Sequence, residues 1–365
     1  MKFHKPDFII LAIIGILIVF GLIMISSASI SSSQENFQEN YHYVKKQIIN
    51  GLIPGLVLAV IGYFIPYGFF KKLSVPLLAL CILGSILVLV PGIGWGHGGA
   101  NRWIQIGGSI VQPSEFLKLA MIIYLAAWFS SKGKTVKNFH EGFVPFIFLT
   151  GMVGILLIAQ PDFGTMGVIA LTALIIYFLA GASFSHIGMC IAGGAAALLI
   201  LIKTFPHAYS RLSTFLNPAS DPLGGSYQIN QALVALGSGG FFGLGLGQSI
   251  QKHRYLPEPA GDSIAAVIGE ELGFIGLSAI LILFLLLFLR GLKIFKSAPD
   301  QFGALLAGGI ASWFLIQALV NIAANCNIIP LTGITLPFFS LGGSSLTATL
   351  AGAGILLNVS KHAKI

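Results

Sequence analysis

Tyr255-Leu256-Pro257-Glu258-Pro259-Ala260-Gly261-Asp262-Ser263-Ile264, running on into Ile268-Gly269-Glu270-Glu271-Leu272-Gly273, decides how the rest of the chain is read. Four carboxylates (Glu258, Asp262, Glu270, Glu271) crowd the start of a long apolar run, yet Asp, Glu, Lys and Arg make up only 9% of the residues. Two prolines and a glycine make the approach to Asp262 a turn. Asp262 then falls where a helix would begin, and its carboxylate has two readings there. It can cap the free backbone N–H groups of the first turn. It can also be an acid kept at a membrane boundary for chemistry, because such acids are costly and tend to be functional. Position alone leaves both open.

The surrounding composition fixes the class. The 365 residues are 56% hydrophobic with a mean hydropathy of +0.90, more apolar surface than a soluble domain can bury. The expectation is an all-α polytopic membrane protein of about ten transmembrane helices, with a long extracytoplasmic loop between helices 7 and 8. Apolar segments fall near 8–30, 48–66, 75–94, 113–130, 143–160, 164–181, 185–203, 264–290, 301–322 and 340–359, in a single transmembrane domain over 1–365. Residues 8–30 read as the first span rather than a cleaved signal, because no small-residue cleavage site follows. Cys81, Cys190 and Cys326 sit in apolar stretches without paired spacing, which argues against disulfides or a metal cluster. His186 and His207 are isolated, and no His/Asp/Glu spacing supports a dedicated metal site.

The net charge of +8 is distributed as membrane topology requires, not as a nucleic-acid footprint. With the N-terminus inside, twelve Lys and Arg fall in the inner loops and seven in the outer ones, placing both termini in the cytoplasm. Two outer segments exceed what a connection needs: the Gly-rich stretch around Trp95–Ile104, and residues 204–263.

Several constellations carry two readings. Glu115 and Lys118 are three apart on one face of an apolar span, as an ion pair or as part of an interior polar cavity. Arg102 and Trp103 pair a snorkelling cation with an interfacial indole, or a phosphate grip with a lipid- or sugar-packing ring. Lys252-His253-Arg254, just before the acidic stretch, is a solvated loop or a diphosphate counter-charge. Asp162, in Gln160-Pro161-Asp162-Phe163-Gly164-Thr165, reads as a helix cap. The glycines from Gly237 to Gly247 lack the lysine and setting of a P-loop, so close packing of a re-entrant or surface segment explains them better. Asn321, Asn325 and Asn327 precede a turn and a small-residue helix start, for which packing is a sufficient account.

Taken in order, Asn101-Arg102-Trp103-Ile104, Gln112-Pro113-Ser114-Glu115-Phe116-Leu117-Lys118, Gln160-Pro161-Asp162-Phe163-Gly164-Thr165, Tyr227-Gln228, Leu256-Pro257-Glu258 with Asp262, Gly269-Glu270-Glu271-Leu272-Gly273 and Leu336-Pro337-Phe338-Phe339-Ser340-Leu341-Gly342-Gly343-Ser344-Ser345 resemble the SEDS family (shape, elongation, division, sporulation). The resemblance covers nearly the whole chain and is nearer to the division branch, FtsW, than to RodA. It implies a ten-helix peptidoglycan glycosyltransferase of the bacterial plasma membrane. Such an enzyme polymerises lipid II at the outer leaflet beside a class B penicillin-binding protein, a transpeptidase, among other divisome or elongasome membrane proteins. The family's essential aspartate matches Asp262, its loop tryptophan Trp103, and its span acid and base Glu115 and Lys118. The pattern departs at Ser263, where the family usually carries an aromatic.

On this reading Asp262 is the general base, and Arg102, Trp103, Glu115, Lys118, Arg254 and Glu258 bind substrate. This reading fixes no cofactor; a divalent cation, magnesium or manganese, entering with the diphosphate is left open. The rival classes are a lipid II flippase that uses Glu115 and Lys118 as its relay, and a non-catalytic scaffold for the transpeptidase.

Overall fold

The computed structural model describes residues 5–97, 100–219, 221–222 and 224–363 as a helix bundle with one small sheet. Lys2, Gly98, Gly99 and Lys364 lie outside the described residues. The helices are α1 (Phe8–Phe37), α2 (His42–Gln47), α3 (Ile53–Phe64), α4 (Tyr67–Leu87), α5 (Pro113–Lys132), α6 (Val144–Ala159), α7 (Phe163–Leu179), α8 (Phe184–Thr204), α9 (Pro206–Leu216), α10 (Tyr227–Gly239), α11 (Ile264–Ser297), α12 (Gln301–Asn325) and α13 (Gly343–Ser360). A π-helical turn, Ile48–Leu52, fuses α2 and α3 into one rod. Every one of the ten expected apolar segments overlaps one of these helices.

The starts are chemical. Asp7 accepts from the N–H groups of Ile9 and Ile10 at 2.9 and 3.2 Å, and Asp300 from that of Gly303 at 2.8 Å. Proline opens α5 and α9, where its missing N–H costs nothing. Seven helical rods are long and apolar enough to cross a membrane, with α7 a shorter apolar helix. Neither α5 nor α13 is among them, because both are more polar along their length and face other helices rather than lipid. Along with α12, they form the buried centre of the bundle.

The start of α1 and the end of α13 meet at one end of the bundle. The Asp7 N–H donates to Ser360 Oγ at 3.1 Å, and Tyr67 stacks on Phe302 and meets His362 edge-on. The opposite end carries the small sheet and the long connection before α11. There β1 (Gly94–His97), β2 (Ala100–Ile106) and β3 (Ser109–Val111) form an antiparallel meander in that order. This sheet adds to the all-α expectation. Gly107 and Gly108 both take positive φ between β2 and β3, as a two-residue hairpin turn of this kind requires.

The expected 204–263 loop is itself largely ordered, through α9, α10 and a folded segment after Gly239. That segment repairs a break in α11. Gly273 sits at φ 67°, ψ −169°, interrupting the helix. The freed groups pair with the glycine run: Leu244 N–H to Glu270 O at 2.9 Å, Gly245 N–H to Glu271 O at 3.0 Å, and Phe274 N–H to Gly240 O at 2.9 Å. A Cβ on Gly239 would lie 2.0 Å from the Gly269 carbonyl oxygen, and one on Gly243 2.2 Å from that of Glu271. The glycines are there because backbone packs on backbone. Two fully buried acids lock the segment down. Glu270 accepts from Ser249 Oγ and from the Ile250 N–H at 3.0 Å, while Glu271 accepts from Lys252 Nζ at 2.8 Å and from Ser27 Oγ of α1 at 2.6 Å.

Candidate active site

Asp262 lies one residue before the helical cap, Ser263, at the irregular end of the bundle. Ser263 makes no side-chain capping bond, and the Asp262 carboxylate does not cap α11 either. Of the two readings that position left open, the cap is not realised. Instead the backbone of Asp262 is clamped and its side chain is left half-buried at the edge of a charged cluster.

The clamp comes from α12. Asn321 Nδ2 and Asn325 Nδ2 each donate to the Asp262 carbonyl oxygen at 2.9 Å. Asn321 Nδ2 also donates to the Ile334 carbonyl at 2.7 Å, so the same amide ties down the loop that faces the acid. Trp313, Gln317, Asn321 and Asn325 recur every four residues and make one polar stripe along an otherwise apolar helix. Packing, the sequence-based account of the two asparagines, misses this duty; their spacing on one helix face was the available signal.

The side-chain geometry is selective. Asp262 Oδ1 accepts from Gln228 Nε2 of α10 at 3.3 Å. Oδ2 faces Gly333: a Cβ on that glycine would lie 3.8 Å from this oxygen and 3.9 Å from Arg211 Nη2, with no other atom within 4 Å. Arg211 comes from α9 and is held by its other nitrogen, Nη1, on the carbonyls of Leu331 and Thr332 at 3.1 and 3.2 Å. Carboxylate and guanidinium each use one atom for anchoring and present the other to one small space over Gly333. In the sequence Arg211 is only one of the outer-loop cations. Its signal is faint, a single arginine on the amphipathic stretch Pro206–Leu216.

Electrostatics match that arrangement. Burial pushes the Asp262 carboxyl up to about 6, with the Glu258 charge adding to the rise and Gln228 and Arg211 opposing it. Burial also lowers Arg211, as does the Arg102 charge, while Asp262 and Asp162 hold it up.

The other expected site residues fall in four places. Glu258 is beside Asp262, in the left-handed region at φ 48°. Arg102 and Trp103, adjacent on β2, point to opposite faces of the strand. Arg102 grips the carbonyls of Gln160 and Pro161, joining the sheet to the α6–α7 turn. Trp103 lines an open cleft with Tyr43, Lys46, Asn50 and Gln112. Glu115 and Lys118 are buried and paired at 2.9 Å, and Lys118 Nζ also donates to Gln317 Oε1 at 2.7 Å. Arg254 is exposed and pairs with Glu35 of α1, and Lys252 is committed to Glu271, so the basic triplet does not gather round Asp262. Asp162 caps α7 as expected, accepting from Thr165 N–H at 3.3 Å and from Ser114 Oγ at 3.1 Å.

The likeness to known proteins covers this whole arrangement. A family model for cell cycle proteins of the FtsW, RodA and SpoVE type matches residues 8–365. The chain belongs to the FtsW/RodA/SpoVE family. Stage V sporulation protein E of Bacillus subtilis is 41% identical over 363 residues, covering 100% of this chain and 99% of that protein. A probable peptidoglycan glycosyltransferase FtsW of Trichlorobacter lovleyi is 40% identical over 367 residues, covering 100% and 95%. Among solved structures, a peptidoglycan synthase complex that couples polymerisation with crosslinking contains a chain of 27% identity and TM-score 0.80, with 98% of each chain covered. The RodA structure from Thermus thermophilus matches at 26% identity and TM-score 0.69, over 99% of this chain and 98% of that one. Family and apolar helices together make this a multi-pass membrane protein.

Proposed function

We propose that this FtsW/RodA/SpoVE-family chain is a peptidoglycan glycosyltransferase that polymerises lipid II into glycan strands at the outer face of the plasma membrane and releases undecaprenyl diphosphate. The observation that carries the reading is the pair of free atoms, Asp262 Oδ2 and Arg211 Nη2, facing one space over Gly333. Relatives named as peptidoglycan glycosyltransferases support it.

The chemistry follows from those two groups. Asp262 takes the proton of the acceptor sugar hydroxyl as that oxygen attacks the donor's anomeric carbon. The new glycosidic bond forms while the bond from that carbon to the diphosphate oxygen breaks. The departing diphosphate needs positive charge rather than a proton, and Arg211 supplies it in place of the expected Arg102, Lys118 and Arg254, which are engaged by other partners. One carboxylate suffices here, unlike the paired acids of glycosidases, whose leaving group is an alcohol. The Trp103 cleft takes a sugar of one substrate, with aromatic rings for its apolar face and Lys46 for its anionic groups. Glu115 and Lys118 act on substrate indirectly, by fixing Gln317 in the α12 stripe that holds Asp262.

A magnesium or manganese ion would enter already bound to the diphosphate, since the described residues do not themselves make a site for one. Among the described residues no group of three or more His, Cys, Asp or Glu is placed to hold an ion. Asp7 and Ser360 meet at the end of the bundle opposite the site, which supports cytoplasmic termini when Asp262 faces outward. A class B penicillin-binding protein is the partner this reading assigns.

The test is incubation of purified protein with labelled lipid II in detergent, with and without that transpeptidase. Polymer from the natural chain and none from Asp262→Asn, at equal folding, supports the reading. Scrambling of lipid II in vesicles without polymer would make the protein a transporter instead.

A further inference from the structure

We infer that Gln228 is a positioning residue that decides which oxygen of Asp262 takes the proton, and that Ser263 holds the Gln228 amide in place by taking its second N–H. This rests on the glycosyltransferase reading and deepens it.

Gln228 lies on the first turn of α10, and its Nε2 donates to Asp262 Oδ1 at 3.3 Å and to Ser263 Oγ at 3.1 Å. A primary amide carries two N–H bonds, so both are spent on these two oxygens. Turning the amide over would place its carbonyl oxygen against the carboxylate, which is repulsive while Asp262 is ionised. Ser263 is only 1% exposed, so its oxygen is a fixed reference point rather than a solvated hydroxyl. With Oδ1 held by a donor, negative charge on that atom is satisfied, and Oδ2, open over Gly333, is the basic oxygen.

Ser263 has no capping duty that would explain it, since it stands at the helix cap without making a capping bond. The groups facing Asp262 are Glu258 from its own loop, Arg211 from α9 and Gln228 from α10. Of these three, Gln228 contacts the carboxylate by a hydrogen bond, and it favours the ionised form. The serine hydroxyl has a use at this position: its oxygen receives the second amide proton of Gln228.

The experiment is the pH profile of lipid II polymerisation by the full-length protein and by Gln228→Leu, Ser263→Ala and Ser263→Thr. Loss of the donor moves the acid limb of Gln228→Leu to higher pH by about one unit and lowers the rate at neutral pH several-fold. Ser263→Ala shifts it in the same direction by less, and Ser263→Thr, which keeps the hydroxyl, restores the natural profile. A rate loss in Gln228→Leu with an unmoved acid limb, or a Ser263→Thr profile like that of Ser263→Ala, overturns the inference. Infrared titration of the Asp262 carboxyl, identified by difference against Asp262→Asn, reads the same midpoint without turnover. If the natural protein makes no polymer, the functional reading fails. The infrared midpoint still decides the role of Gln228: unmoved in Gln228→Leu, it overturns the inference.

Discussion

Asn321 donates its side-chain amide to the main-chain carbonyl of Asp262 at 2.9 Å, across 59 positions of sequence. The acid's position is therefore set by a neighbouring helix, not by the turn that carries it. Asn325 repeats the bond one helical turn further on. Replacing Asn321 with Leu removes this donor and the bond to Ile334, leaving the Asp262 carbonyl to Asn325 alone and the Ile334 carbonyl against an apolar side chain. The expected cost is about 2 kcal/mol of local stability, with polymerisation falling at least tenfold through kcat rather than KM. Steady-state kinetics on lipid II check it; an unchanged kcat would mean that the clamp is not needed.

The space over Gly333 gives a sharper test. Its backbone sits at φ 69°, where a side chain is strained, and a Cβ there would lie 3.8 Å from Asp262 Oδ2 and 3.9 Å from Arg211 Nη2. Gly333→Ala should cost about 1–2 kcal/mol of stability from strain and abolish turnover by occupying the reaction space. Melting in detergent and polymer yield are measured together. Full activity would show that chemistry occurs elsewhere.

What is legible in the sequence divides along physical lines. The ten helical segments are readable because burial in lipid demands long apolar runs and helices satisfy their own backbone groups. Asp262 is readable because charge is scarce in such a chain. The Glu115–Lys118 pair is readable from spacing on one helix. The places of Arg211 and Gln228 are not, because each reaches the site from a different helix through tertiary packing that no local pattern encodes. Arg102 and Trp103 mislead as neighbours, since adjacent residues on a strand point apart. The triplet at 252–254 misleads because proximity in sequence is not proximity in space.

Arg211 should tolerate no conservative replacement. Its Nη1 is spent on two carbonyls while Nη2 stays free, which only a forked guanidinium can do. Arg211→Lys keeps the charge but must give up either the anchor or the reaching donor. A fall in kcat of roughly 10²-fold is expected, comparable with removal of one preorganised charge-stabilising donor. Comparable rates for lysine and arginine would reduce Arg211 to a surface cation.

The pH dependence has a definite sign. Asp262 must be ionised to accept a proton, and its carboxyl lies at about 6, so polymerisation should fall as pH drops through that value. Glu258 is one of the causes of the elevated value, as a like charge that disfavours ionisation. Glu258→Gln should therefore move the acid limb to lower pH, opposite to the shift expected for Gln228→Leu. A shift upward, or none, would mean that Glu258 acts on substrate rather than on the base.

The Glu115–Lys118 pair offers a test of stability rather than rate. Lys118 Nζ contacts Glu115 at 2.9 Å and Gln317 at 2.7 Å, and it lies 5.4 Å from the Trp313 ring, all inside the bundle. Lys118→Met alone leaves a buried carboxylate without its counter-charge, with an expected loss of about 3–5 kcal/mol. Lys118→Met combined with Glu115→Gln removes both charges and should recover most of that loss. Activity should recover less than stability, because the double variant still lacks the ammonium that orients Gln317 at the foot of the stripe holding Asp262. Thermal unfolding and polymerisation, measured on all three variants, separate the two effects. Recovery of both in parallel would confine the pair to folding, and a double variant no more stable than Lys118→Met would remove the ion-pair account.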